Sequence, residues 1–331
     1  MTVWQDWQRA WAAAMYGPGG FVHAAGAPAT HFRTSVHVGD LLAGALLELL
    51  ARVDTALEHP RRIDLVDLGA GGGELLAAMV EGAPSALRAR LRPVAVDLRP
   101  APAGWRLPWR AEVVAPVRGL VVAHELLDAV PAAVVTRHEG VLRRVQVDGD
   151  GAQRPGPAVG GVEAAWLRRW GSPAEGTRVE VGCSRDALWA QVLAAVGAGA
   201  AVAVDYGVDG VADTLAAYRH GRQVMPVPDG SCDVTAHVHW PSVQALAGGV
   251  RTTQRLALAD LGGVDGLGAP VRGQDWLARA ERAGHLAELT DPGGLGGFDW
   301  WAVARGAVRV TSLGIHSLGL RPAAGAVHPP R

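Results

Sequence analysis

The sequence predicts an α/β fold built on a mostly parallel sheet with helices on both faces. Three observations carry that prediction. Short apolar runs of strand length alternate with segments of helical periodicity. Those runs are almost continuously apolar, as strands buried on both sides must be. The first of them ends in a glycine-rich turn that opens a helix, Val66-Asp67-Leu68-Gly69-Ala70-Gly71-Gly72-Gly73-Glu74. Ligands of open α/β sheets sit beyond the carboxyl ends of the strands, so the residues at those ends are the first candidates for a site.

Taken in order, the chain divides into a helical N-terminal extension over 1–60, a core over 61–306 with an insertion at about 207–240, and a tail over 307–331. Trp4, Trp7, Trp11 and Met15 recur at helical spacing, and the helix they predict packs its tryptophans on the domain. Gly17-Pro18-Gly19-Gly20 ends it. A second helix is expected over Val38 to Leu57. Ile63 to Leu68 reads as the first strand, Glu74 to Val80 as a helix, Pro93 to Val96 as a strand ending in Asp97, and Gly119 to Ala123 as a strand ending in His124-Glu125. Val134 to Val147 reads as a hairpin about Glu139-Gly140, and Gly149 to Gly161 as a surface loop. Arg178 to Val181 and Ala200 to Val204 are further strands, separated by a helix over about Arg185 to Val196. Residues 207–240 show no regular pattern. Pro241 to Ala247 is a short helix, Arg251 to Leu256 a strand, Asp275 to Leu286 a helix and Phe298 to Arg305 a late strand, with Trp300 and Trp301 on alternate faces.

Composition removes several functions. Of 331 residues, 49% are hydrophobic and 19% charged, which is a globular balance. The net charge is −1 with no basic stripe, which argues against a nucleic-acid partner. The chain contains no lysine, so lysine chemistry is excluded. Two cysteines, Cys183 and Cys232, cannot form a disulfide framework, and a reducing cytoplasmic setting is expected. No run approaches the ~20 apolar residues of a membrane helix, and the N-terminus lacks a secretion-signal pattern, so no stable membrane association is expected. Cys232, Asp233, His237 and His239 match no standard zinc spacing, and no metal is expected.

The glycine turn points to a nucleoside cofactor. A dinucleotide fingerprint requires glycine at its first, third and sixth positions. Counted from Gly69, the sixth position is Glu74, whose carboxylate would face a pyrophosphate; counted from Gly71, it is Leu76. S-adenosylmethionine carries no phosphate and escapes that objection. Asp67, Leu68, Gly69, Ala70, Gly71 and Gly73 are therefore cofactor-binding candidates, with Asp67 accepting from the cofactor's ammonium group. Asp97, with Leu98 beside it, ends the second strand, where an acid can accept both ribose hydroxyls. Trp105 and Trp109 follow as core or interface aromatics, with an adenine-flanking role as the alternative.

Further along, His124-Glu125-Leu126-Leu127-Asp128-Ala129-Val130-Pro131 resembles the N-E-x-x-D-A-x-P motif of MidA-like methyltransferases. Tyr16-Gly17-Pro18-Gly19-Gly20, His31-Phe32-Arg33-Thr34-Ser35, Asp205-Tyr206-Gly207 and Asp233-Val234-Thr235-Ala236-His237-Val238 resemble other stretches of that family, in the same order. The resemblance spans about Tyr16 to Leu261. It implies a Rossmann-like class I methyltransferase sheet with a family-specific insertion and S-adenosyl-L-methionine as cofactor, with Thr34 and His124 added to the cofactor-binding set. It also implies methylation of a protein arginine, the activity of the family's mitochondrial complex I assembly factor, and hence a protein partner with an exposed arginine. The sequence departs from the pattern twice: His124 stands where the family has Asn, and Val36-His37 where it has Pro-Glu.

Glu125 and Asp128, at the end of the third strand, are the catalytic candidates. Carboxylates can grip a guanidinium fork and take its proton. Capping a helix N-terminus explains acids there as well. Asp205, Tyr206, His220, Asp233 and His237 are candidates for the acceptor wall, or for buried hydrogen bonds that fix the insertion. Two rival functions stay open: methylation of a small molecule, and a non-catalytic assembly or binding role. Homodimerisation is compatible with the pattern.

Overall fold

A computed structural model of the chain describes residues 2–23, 35–262 and 274–316; Thr34, most of the F-x-T-like segment and the end of the tail lie outside them. Helix α1 (Trp7–Tyr16) and helix α2 (Leu41–Ala56) precede a central seven-stranded sheet. Its strands are β1 (Ile63–Leu68), β2 (Leu91–Val96), β3 (Trp109–Arg110), β4 (Val117–His124), β5 (Val196–Asp205), β6 (Val250–Thr253) and β7 (Asp299–Arg305). The spatial order is β3-β2-β1-β4-β5-β7-β6, parallel throughout except for β7, which is antiparallel to both neighbours. The chain winds outward from β1 to β3, returns, and winds the other way from β4, so the order reverses between β1 and β4. That reversal is where doubly wound sheets bind ligands.

Alternation along the strands builds a core on each face. Leu65, Leu120, Val122, Ala200, Val202 and Trp300 face a layer made by α2, α3 (Glu74–Gly82) and α5 (Gln254–Asp260). Val66, Leu68, Val121, Ala203 and Trp301 face α4 (Cys183–Ala195) and the Trp240 side. Trp300 and Trp301 thus serve opposite cores, as period two requires.

Two segments decorate the sheet. Between β4 and α4, strands Ala133–His138, Val141–Val147, Gln153–Ala158 and Arg178–Val181 form a second, antiparallel sheet, extended by Gln5–Asp6. The expected hairpin is there, turning at Glu139 and Gly140, both at positive φ. One reading needs correction. The expected loop Gly149 to Gly161 contains the strand Gln153–Ala158; Pro155 and Pro157 fit its open edge, where a missing N–H costs nothing. Arg178–Val181 is a strand, as expected, and lies in the second sheet, because an apolar run reports burial and not which sheet buries it. After β5, the stretch read as patternless holds short strands, among them Ala216–Arg219, Arg222–Val224 and Asp233–Thr235. Helix α1 wedges Trp7, Trp11 and Met15 between this insertion and the second sheet, against Val134, Val145, Ala217 and Val234. Among the described residues no helix is long and apolar enough to cross a membrane.

Candidate active site

Register brings the predicted residues level. Leu68 pairs with Val96 and with Ala123, and His124 with Val204. The segments that follow these strand ends, 69–73, 97–99, 124–128 and 205–206, therefore share one rim at the reversal point.

The glycine turn is built as a ligand loop. Gly69, Gly71 and Gly73 all take positive φ, at 77°, 63° and 88°, which L side chains adopt at a cost of roughly 1–2 kcal/mol each. A Cβ on Gly71 would reach only the Arg99 guanidinium, at 3.4 Å. Trp105 lies directly over Gly73 and meets Trp109 edge-on, so both tryptophans are structural neighbours of the loop. Asp67 is buried, one of its oxygens has no hydrogen-bond partner among the described residues, and burial pushes its carboxyl up to about 7. A buried carboxyl with an open oxygen beside a bare glycine backbone fits the cationic amino-acid end of S-adenosylmethionine.

Asp97 does something the sequence did not announce. Its Oδ2 accepts from the Gly71 N–H at 2.8 Å, which ties the second strand to the loop, while Oδ1 accepts from the Arg99 N–H at 2.8 Å. The Arg99 guanidinium also donates to both oxygens. A ribose binding here would exchange its hydroxyls for those guanidinium contacts. Leu98 is 70% exposed next to it.

On the other side of the reversal stand the acids. Glu125 sits in the left-handed region at φ 50°, unusual for a residue with a Cβ. Its side chain, 19% exposed, accepts from the Ser35 N–H at 3.3 Å and lies 3.6 Å from His124 Nε2. Burial and then the nearby Asp128 push its carboxyl up to about 8. Asp128 Oδ2 accepts from the Tyr206 hydroxyl at 2.6 Å and the Thr235 hydroxyl at 2.7 Å, while Oδ1 is buried without a partner among the described residues. Asp233 is also pushed up to about 8, by burial and then by Asp128. Burial and the Asp233 carboxylate raise the Tyr16 phenol, whose hydroxyl donates to the Ala129 carbonyl at 2.9 Å. All three tyrosines of the chain, Tyr16, Tyr206 and Tyr218, feel the charge of Asp128.

No helix starts at Glu125; residues 125–131 form turns. The N–H groups of Leu127 and Asp128 are capped instead by Asp205 Oδ2, at 2.8 and 3.1 Å. Helix capping therefore does not account for Glu125 and Asp128. Asp205 also accepts the Tyr206 N–H, so both its oxygens serve the backbone. His237 packs edge-on against Tyr206 at 5.0 Å. His220 stands apart from this group, exposed at the positive-φ turn between Ala216–Arg219 and Arg222–Val224.

Sequence reading missed Arg185. It is 2% exposed, and its guanidinium donates to the carbonyls of Asp128, Val130 and His237, stitching the 125–131 turn to the insertion. Desolvation lowers its pKa; the surrounding acids, Glu180 first, offset this. Nothing in the spacing marks one arginine among so many. Thr235 lay inside a quoted motif, but only the fold shows it touching Asp128. His239, screened for zinc, instead accepts from the Ser242 N–H and packs on Trp166 and Trp170, and burial lowers it to about 4.

The strand order, the glycine loop after β1 and the acid after β2 define the class: a Rossmann-like methyltransferase fold that uses S-adenosylmethionine. The chain belongs to the family described as "Putative S-adenosyl-L-methionine-dependent methyltransferase", whose model matches residues 85–256, more than half of the chain. It is a MidA-like methyltransferase. Two solved structures from Burkholderia thailandensis share the fold. One is a COG1565 superfamily member bound to S-adenosyl-homocysteine, 24% identical, covering 95% of this chain and 92% of that one, with a TM-score of 0.79. The other is a native structure of a COG1565 superfamily protein, 25% identical, covering 95% and 91%, with a TM-score of 0.78. No curated protein sequence matches the chain.

Proposed function

We propose that this methyltransferase modifies a guanidinium nitrogen of a protein arginine, gripped by Glu125 and Asp128. The observation that carries the proposal is the gathering of Glu125, Asp128 and Asp233 at one rim, two of them pushed up to about 8 and the third keeping a buried oxygen open. Such a cluster favours a cationic ligand, because Glu125 and Asp233 regain their charge, and its stabilisation, when a cation arrives. Arg185, the buried cation nearby, is committed to three backbone carbonyls.

When bound, S-adenosylmethionine supplies an electrophilic methyl group on a cationic sulfur. The chain's own contribution is alignment and proton management. Asp67 and the loop Gly69 to Gly73 hold the cofactor, Asp97 keeps the loop in shape, and the pair Glu125–Asp128 orients the planar fork of the acceptor. Glu125, titrating near 8, accepts the proton that the guanidinium nitrogen must lose. A small apolar acceptor would want an enclosed apolar pocket, and the acidic rim does not favour one.

The test is incubation with methyl-labelled S-adenosylmethionine and cell extract, followed by mass spectrometry of the labelled material. Methylarginine in a protein supports the proposal. Label confined to small metabolites overturns it.

A further inference from the structure

We propose that Tyr206 and Thr235 are positioning residues which clamp Asp128 so that its Oδ1 alone faces the acceptor; the acceptor-wall reading of Tyr206 is thereby replaced. The inference rests on Asp128 being an acceptor-gripping carboxylate, as proposed above.

The geometry is a closed triangle of oxygens. The Tyr206 hydroxyl and the Thr235 hydroxyl both donate to Asp128 Oδ2, and the two hydroxyls contact each other. Tyr206 follows directly on β5, whereas Thr235 comes from the insertion strand Asp233–Thr235, so two separate parts of the chain converge on one oxygen. Two donors on Oδ2, and none on Oδ1 among the described residues, fix the rotation of the carboxyl group. A free carboxylate on a turn could swing; this one presents a single, buried, unsatisfied acceptor.

The backbone beneath Asp128 is pinned from both sides. Asp205 receives its N–H, and Arg185 donates to its carbonyl at 3.0 Å. The insertion strand also accounts for the second acid of the rim. Side chains two residues apart share a face of a strand, so Asp233 lies on the same face as Thr235, and Tyr218, its partner across the pair, lies there too. The insertion therefore delivers one arm of the clamp, Thr235, and a carboxylate, Asp233, on one face.

A hydroxyl that merely fills space and one that orients a carboxylate behave differently on substitution. Initial rates are measured for the full chain with tritiated S-adenosylmethionine at saturation and increasing cell-extract protein, for wild type, Tyr206→Phe, Thr235→Val and Thr235→Ser. Cofactor affinity is measured separately by calorimetry. A hydrogen bond to a charged group corresponds to roughly a 10- to 100-fold rate effect. Tyr206→Phe and Thr235→Val are expected to lose about that much maximal rate, with the half-saturating extract concentration and the cofactor affinity changing by less than about twofold to threefold. Thr235→Ser, which keeps the hydroxyl, is expected to recover most of the rate. Rates within about twofold of wild type in Tyr206→Phe and Thr235→Val overturn the clamp, as does a Thr235→Ser protein that is as slow as Thr235→Val. Analysis of the labelled wild-type product separates this from the earlier reading: label on a residue other than arginine removes the arginine proposal, whereas only the variant series removes the clamp.

Discussion

Glu125→Gln isolates the cost of burying an acid at the rim. Glutamine has the shape of a protonated glutamic acid and never ionises. In the folded chain the Glu125 carboxyl titrates near 8, against an ordinary 4.5, with burial as the main cause. Between those values the folded state holds a proton that the unfolded chain has released, so wild-type stability falls as pH rises from 4.5 to 8 and levels off above it. The shift is about 3.5 units, and at about 1.4 kcal/mol per unit the upper limit is about 5 kcal/mol. The 19% exposure of the side chain and its shared field with Asp128 reduce this to the order of 2–4 kcal/mol. For a chain of this size that corresponds to roughly 3–6 °C in Tm. The assay is calorimetric melting of both cofactor-free proteins from pH 4.5 to 9. The variant is expected to match wild type at the acidic end and to melt progressively higher as pH rises. A gap that does not change with pH, or a wild type that gains on the variant at alkaline pH, refutes the assignment of a buried, proton-holding Glu125.

Three further outcomes are expected. Gly73→Ala forces a Cβ into the Trp105 ring at a φ of 88° and is expected to cost about 2–5 kcal/mol, seen as a lower urea midpoint. Asp97→Ala frees Gly71 and Arg99 and removes the proposed ribose acceptor, so S-adenosylmethionine affinity measured by calorimetry is expected to fall roughly 10- to 100-fold with the fold intact by circular dichroism. Arg185→Met leaves three buried carbonyls without their donor and is expected to destabilise the chain by about 3–5 kcal/mol in denaturant titration, whereas Arg255→Met, on the outer side of α5, is expected to change it by less than about 0.5 kcal/mol.

The legible part of this molecule was the central sheet. Buried parallel strands are short apolar runs, and Asp67, Asp97 and His124-Glu125 fall at the strand ends because a run of that kind stops where the chain reaches the rim. The glycines of the loop were legible for the same local reason: three left-handed residues in five need glycine. Less legible was everything fixed by distant contacts. Gln153–Ala158 carries two prolines and reads as a loop, yet it pairs along an edge. The insertion strands are two to four residues long, too short for period two to stand out. Asp205 and Tyr206 were visible as polar residues after a strand, but whether they face an acceptor or hold Asp128 depends on residues 77 and 78 positions away. Arg185 carried no local signal, because its partners are carbonyls, which every residue has.

The proposed role of the acidic rim beside the glycine loop is to receive an arginine. It is tested most directly by comparing wild type with Asp128→Asn, a change that keeps an acceptor for the Tyr206 and Thr235 hydroxyls but removes the charge. Both proteins are loaded with labelled S-adenosylmethionine, their cofactor affinities are confirmed by calorimetry, and labelled cell protein is hydrolysed to amino acids. The predicted result is methylarginine from wild type, with a loss of about 100-fold or more in the variant at unchanged cofactor affinity. Equal methylarginine from both proteins, or label recovered on a different amino acid, contradicts the claim.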